Sequence, residues 1–206
     1  MISAFLLMIL LAPQQSFLRF SYCHEYPVGP FEKQCIELSA DGTGKTELKR
    51  RGFDATAATI TLSDSAKEKF LSTLAGTRNL ADAQKYESKK KIANLGLKRV
   101  VLEMPSETRK ADFNYSDLKE VTALMNFFDA LLNQQVWMSS VEVAAQYERL
   151  SIPDRLDDLE QQLKIGRMGD PQALIPVLDK LIQNDRILQY ARDHATQIKA
   201  QILIGK

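Results

Sequence analysis

The sequence is poor in the side chains on which most catalytic and metal sites depend. Its 206 residues include only two cysteines and two histidines. It contains no CxxC, HExxH or GxSxG motif, no P-loop and no GxGxxG turn. We therefore assign no catalytic, cofactor-binding or metal-binding residues and expect no cofactor. We lean against an enzyme, and a site assembled from residues far apart in sequence stays open as an alternative.

An excess of charge of either sign is also missing. Lys and Arg number 27 and Asp and Glu number 26, which gives a net charge of +1. No overall field attracts the chain to nucleic acid or to an anionic membrane. The basic runs at 49–51 and 85–99 contain little aromatic character, whereas a nucleic-acid surface interleaves the two. We interpret them as solvated loops and strand ends and predict no nucleic-acid partner.

No apolar run is long enough for a membrane span. The apolar stretch at residues 2–12 has eleven residues, whereas a spanning helix needs roughly 20. A short apolar stretch at the start of a chain is typical of a secretory signal. We therefore predict a signal peptide over residues 1–15 and export, as a periplasmic or secreted protein. The alternative is a buried N-terminal strand or helix, and the cleavage position stays open because Pro13 follows Ala12.

The two cysteines fall on equivalent faces of two predicted strands. Around Cys23 the apolar positions are Phe20 and Tyr22, and around Cys35 they are Ile36 and Leu38. Both thiols therefore point away from the core, and an antiparallel pair of strands would bring them to one surface. In an exported chain this favours a Cys23–Cys35 disulfide, worth about 3 kcal/mol by loop closure. Two free thiols are the alternative.

Neither histidine gives a strong catalytic hypothesis. His24 follows Cys23 in what we interpret as a loop, but neighbouring residues of a strand point to opposite faces, and a disulfide would consume the thiol. A metal site at Cys23, His24 and Cys35 lacks a fourth ligand. His194 falls on the apolar face of a predicted helix, where a packing role is the commoner one.

Residues 16–135 alternate between strand and helix patterns. Period-2 alternation predicts strands over 18–23, 35–40, 45–51, 57–62, 97–104 and 109–115. Two helices are predicted, one capped by Ser65 or Ser63 and one entered at Ser116 or Asp117. This order predicts an α+β domain, an antiparallel sheet of two hairpins packed by two helices.

Residues 136–206 contain no convincing strand and predict an all-helical C-terminal section. Helices are expected over 139–148 and 153–166, then from Asp170 and finally from Asp185, each of the last two capped by that aspartate. Pro176 should kink the third of these helices. Trp137 and Met138 lie where the two sections meet, and core packing is their preferred interpretation over ligand binding.

Two resemblances can be stated. The segment 170–202 resembles a single HEAT-type helix pair, with its Asp170-Pro171 entry and short Asn184-Asp185 turn. The chain as a whole resembles a group of uncharacterised exported bacterial proteins that join a small α+β domain to such a helical tail. The matching stretches are 38–44, 94–96 leading into 109–115, and the 170–202 pair. This resemblance implies the architecture and export, and no activity or functional residues.

Three functions remain open at this point. The first is a non-catalytic exported protein that mediates protein interaction with another envelope protein, through the sheet face or the last helix pair. The second is an extracytoplasmic binder of a small molecule or peptide in a cleft between the two sections, with Trp137 and Met138 as lining residues. The third is an enzyme. The sequence leaves the oligomeric state open.

Overall fold

Six strands form one antiparallel sheet, which confirms the predicted α+β class. The structure is a computed structural model that describes residues 17–205, so the predicted signal peptide lies outside the described residues. The strands are β1 (Arg19–Glu25), β2 (Phe31–Leu38), β3 (Thr43–Arg50), β4 (Ala55–Thr61), β5 (Leu97–Glu103) and β6 (Thr108–Phe113). Their order across the sheet is β4-β3-β2-β1-β5-β6. The predicted hairpins are β2-β3 and β5-β6, and β1 joins them at the centre.

Two helices cover one face of the sheet, α1 (Asp64–Gly76) and α2 (Lys119–Tyr147). The strands alternate, so every second side chain enters this layer. An aromatic cluster fills its centre, with the Phe20 and Phe128 rings stacked at 4.7 Å and Phe70 edge-on to both. The cap of α1 is Ser63, whose hydroxyl accepts from the Ala66 amide at 3.3 Å. Of the two caps that the sequence predicts, Ser63 forms the cap and Ser65 does not.

Helix α2 is longer than the sequence pattern indicates. The predicted helix at 139–148 is not separate, because α2 continues without a break for 29 residues to Tyr147. Its interior contains no glycine or proline that would end it. Residues up to Leu132 belong to the core beneath the sheet, and residues from Trp137 onward belong to a second core. One helix therefore supports both sections of the molecule.

The second core is entirely helical. It joins the end of α2 to α3 (Ile152–Lys164), a 3-10 turn (Pro171–Leu174), α4 (Ile175–Ile182) and α5 (Gln189–Ile204). Pro176 lies in the first turn of α4, where its missing N–H is not needed, so the expected kinked helix is instead a 3-10 turn followed by a short helix. Within residues 17–205, no helix combines the length and apolar character that a bilayer crossing requires.

Neither predicted aspartate cap forms. Helix α5 begins only at Gln189, and Asp185 instead pairs with Arg192 at 2.6 Å. Asp170 makes no cap hydrogen bond. Its two carboxylate oxygens accept from the amide and the hydroxyl of Ser63, both at 2.7 Å. Asp170 thus ties the helical section to the start of α1.

Beside this link, residues 169 and 170 lie in direct contact with α2. The Asp170 amide donates to the Gln134 side chain of α2 at 2.9 Å. Gly169 lies so close to α2 that an added Cβ would come within 2.7 Å of the Leu131 backbone nitrogen. Only glycine fits there without moving one section relative to the other.

Candidate functional site

The sheet face opposite the helices carries the disulfide and a set of ion pairs. Cys23 and Cys35 are direct partners in the β1–β2 register, with Cα atoms 4.1 Å apart, and their sulfur atoms are bonded. Beside them, Arg19 bridges Glu103 at 2.9 Å and Glu37 at 3.2 Å. Such solvated pairs contribute little stability. This face is largely polar, and Val101 and the part-exposed Leu97 of β5 also lie on it.

The basic runs are largely engaged within the fold. Lys85 pairs with Asp82 at 3.0 Å and Lys90 with Asp117 at 2.7 Å. Lys98 is half-buried on the helix side of β5 and donates to the Asn114 carbonyl at 3.2 Å. Burial lowers the pKa of Lys98. These lysines therefore do not form one continuous cationic surface.

A polar cluster lies beneath the sheet, around His24 and Asp129. His24 belongs to β1 rather than to a loop, and it points away from Cys23 into the helix layer, so no Cys–His pair forms. The Tyr22 hydroxyl donates to Asp129 Oδ1 at 2.7 Å. Burial, reinforced by the negative charge of Asp129, raises the pKa of Tyr22 well above its ordinary value. The ring of Tyr26 lies on His24 with centroids 3.9 Å apart.

The histidine ring is held in one orientation. His24 Nε2 is 3.1 Å from the Leu95 carbonyl oxygen, which can only accept, so Nε2 carries a proton. Nδ1 is 3.9 Å from Asp129 Oδ1 and has no hydrogen-bond partner among the described residues. The backbone approaches the ring so closely that position 96 requires glycine. A Cβ added to Gly96 would lie 2.8 Å from His24 Nε2 and 2.3 Å from the Glu25 carbonyl oxygen. The side chain of His24 is only 8% exposed, which places it out of reach of a dissolved substrate.

The remaining candidate residues of the sequence pack between helices. His194 lies between α5 and α3, with Nδ1 3.5 Å from Asp157 and Nε2 3.7 Å from Glu160. Trp137 is buried and its indole donates to the Arg155 carbonyl at 2.9 Å. Met138 is half-buried against the second core. Within residues 17–205, no three His, Cys, Asp or Glu side chains are grouped so that they could hold a metal ion.

An exposed pocket with three apolar side chains lies between the end of α2 and the start of α5. Tyr147, Leu150 and Leu188 border a cavity of about 610 Å³, and we call this surface the tail pocket. Tyr147 is 79% exposed and Leu150 81% exposed. Glu148, Arg149 and Arg186 lie on the same cavity. Glu148 pairs with Arg155 at 3.4 Å, whereas neither arginine of the cavity forms an ion pair with another described residue.

A second apolar groove adjoins the same turns of the chain. It has a volume of about 350 Å³ and lies between the last turns of α2 and helix α4. Its lining is Val141, Ala145, Val177 and Leu181, with Glu142, Gln146, Lys180 and Asn184. The tail pocket and this groove both border the C-terminal end of α2 and the connection from α4 to α5. Large apolar side chains that stay exposed in such a place are typical of binding surfaces.

The sequence itself contains a signal for this surface. Val143 and Tyr147 lie four positions apart on a face of α2 that differs from that of the buried Val141 and Ala144, and Leu150 follows in the 3-10 turn Arg149–Ser151. Exposed apolar side chains on a second side of a helix are not needed for its own core. No family model and no curated protein matches the chain.

Proposed function

We propose that this is a non-catalytic exported protein that binds another protein of the cell envelope through the tail pocket. The observation that carries the proposal is the grouping of Tyr147, Leu150 and Leu188 around one open cavity. A lone exposed apolar residue is ordinary, but three that share a concave surface are not. Tyrosine and arginine, both present at this pocket, are among the side chains that carry most of the free energy of protein binding.

The charges around the tail pocket indicate the chemistry of the partner. Arg149 and Arg186 flank the apolar residues and have no intramolecular counterion among the described residues. An incoming carboxylate would satisfy a guanidinium with bidentate hydrogen bonds. The proposed partner segment therefore carries an apolar anchor residue next to one or two acidic residues.

Two features support export. The apolar stretch at residues 2–12 has the length of a secretory signal. The Cys23–Cys35 disulfide belongs to a class of bond that persists in oxidising compartments and is rare in reducing ones. An exported interaction partner is the kind of protein that needs a stable scaffold and no catalytic constellation.

Site-specific photocrosslinking in intact cells tests the proposal. A photoreactive amino acid at Leu150 should form an adduct with one envelope protein. The matched control places it at Ile204, which is 82% exposed against 81% for Leu150. Ile204 lies at the far end of α5, about 24 Å from Leu188 along the helix axis.

Charge reversal then tests the specificity of the adduct. Arg149→Glu together with Arg186→Glu should remove the Leu150 adduct while leaving the fold intact, because both side chains lie at the rim of the cavity. The same adducts from Leu150 and Ile204, or a Leu150 adduct that survives the charge reversal, would refute the tail pocket as the docking site.

A second candidate is a small-molecule site in the cleft between α2 and the turn after α3. Its observation is that Asn133 and Arg167 line two neighbouring cavities there, of about 460 Å³ and 250 Å³, and that Trp137 borders the smaller one. Polar and charged side chains converge in this cleft, as in many ligand sites. Thermal shift screening against small anions would test it, with Arg167→Gln expected to abolish any stabilisation.

A further inference from the structure

The two edges of the sheet differ in how they are protected. At one edge, β6 carries Arg109, Lys110 and Asp112 among its six residues. At the other edge, β4 has the sequence Ala-Thr-Ala-Ala-Thr-Ile-Thr, with no charge, proline or glycine. Six of its seven residues are exposed, and only Ile60 is buried. Natural edge strands are normally shortened, charged or bulged, because an open edge pairs with other strands.

The direction of the free backbone groups follows from the register. The Leu62 amide donates to the Gly42 carbonyl of the β3 side at 3.0 Å. Backbone N–H and C=O groups of successive strand residues point to opposite sides, so those of Ile60, Ala58 and Thr56 also face β3. The backbone groups of Ala57 and Thr59, like those of Ala55 and Thr61, therefore point away from β3 at the edge of the sheet. No described residue lies beyond β4 in the sheet, so this row is open to a further strand.

We propose that β4 is a docking site for an extended, uncharged segment of another protein, which adds as a seventh strand. Such strand addition draws its affinity from main-chain hydrogen bonds and its specificity from alternate side chains. A carboxylate or ammonium group on the added strand would find no counterion on β4. This site is separate from the tail pocket and does not depend on the proposed function.

The small side chains of β4 select the occupant. Ala57 and Ala58 leave the strand backbone uncovered on both faces, and β-branched or aromatic residues opposite them would cover it. The exposed side chains of a second copy of β4 would be only those of alanine and threonine. Two such strands, each about 24 Å long, would bury well under the roughly 1,200 Å² of a stable dimer. The occupant is therefore a larger-residue partner strand rather than a second copy.

Binding of a designed peptide tests the site. The probe is a capped, fluorescently labelled seven-residue peptide of alternating threonine and valine, measured by anisotropy against the folded protein. We expect saturable binding and chemical-shift changes in β4. The variant Ala57→Pro removes one outward N–H without touching the β3 ladder and should weaken binding about tenfold or more. Ala57→Val keeps the N–H and adds a β-branched side chain, so it should bind at least as tightly as the native protein does.

A second test changes the peptide and leaves the protein unaltered. The same peptide with alternate backbone nitrogens methylated cannot form the ladder and should not bind. Equal binding of the methylated and unmethylated peptides, equal binding by Ala57→Pro and Ala57→Val, or shifts confined to the tail pocket would overturn the proposal. Absence of any binding by the native protein would overturn it as well.

Discussion

Removing the Asp170 carboxylate should destabilise the whole molecule. Asp170 is 1% exposed, and both of its oxygens accept hydrogen bonds from Ser63 at 2.7 Å. The Ser63 hydroxyl in turn accepts from the Ala66 amide, so the cap of α1 is coupled to the link. The replacement Asp170→Ala deletes the acceptors and leaves the Ser63 donors facing a cavity.

The expected magnitude follows from the hydrogen bonds that are lost. A hydrogen bond to a charged group contributes about 1.5–3 kcal/mol. Two such bonds set an upper range of about 3–6 kcal/mol. Ser63 is half-buried and regains some water, so we expect the lower end, about 3 kcal/mol. Asp170→Asn retains one acceptor but sets an NH₂ group against the second donor, and should cost about 2 kcal/mol.

Urea unfolding followed by tryptophan fluorescence measures this loss. The chain has a single tryptophan, Trp137, which is buried in the second core and reports on it directly. The matched control is Asp185→Ala, because the Asp185 side chain is 93% exposed and makes only a surface pair. That change should stay within about 0.5 kcal/mol. If Asp170→Ala cost no more than Asp185→Ala, the reasoning that a buried carboxylate links the sections would be wrong.

Two further predictions concern the sheet. Cys23→Ala with Cys35→Ala should lower the free energy of unfolding by about 3 kcal/mol, because the bond closes a loop across 12 positions. Reduction of the native protein should produce the same loss in urea titrations, and an unchanged midpoint would contradict the loop-closure argument. The raised pKa of Tyr22 implies that the folded state favours the neutral phenol, so stability is full below the ordinary value of 10.0 and falls as pH rises above it. Tyr22→Phe removes this contribution, so the unfolding free energy of the variant should fall less steeply as the pH rises above 10. Equal slopes would show that Tyr22 is not the group responsible.

Local patterns predicted most of the sheet, because the alternation of apolar and polar residues along a strand is visible in neighbouring residues. The alternation from Phe20 to Leu38 put both cysteines on one face, which is where the structure joins them. The helix ends were harder. The pattern around Ser139 weakens because α2 passes there from one core to the other, and its buried face changes. A break in apolar periodicity therefore did not mean a break in the helix.

Contacts between distant parts of the chain could not be predicted from local pattern. Asp170 follows the helix-cap rule in sequence, yet its acceptors serve Ser63, 107 positions earlier. The Tyr22–Asp129 hydrogen bond spans the same separation. The tail pocket likewise needs Leu188 to return beside Tyr147, which only the packing of α5 brings about. Each of these features depends on the tertiary fold.

The continuous helix α2 has a practical consequence for anyone who wishes to study the sections apart. A cut near Gln135 would divide this helix where it passes from the first core to the second, and it would separate Asp170 from Ser63 and Gln134. Each half would end at an open helix terminus, and the close contact of Gly169 with Leu131 would be lost. The sheet and the tail pocket should therefore be produced, stored and unfolded as one cooperative unit, and a load applied at the pocket would pass along α2 directly to the sheet.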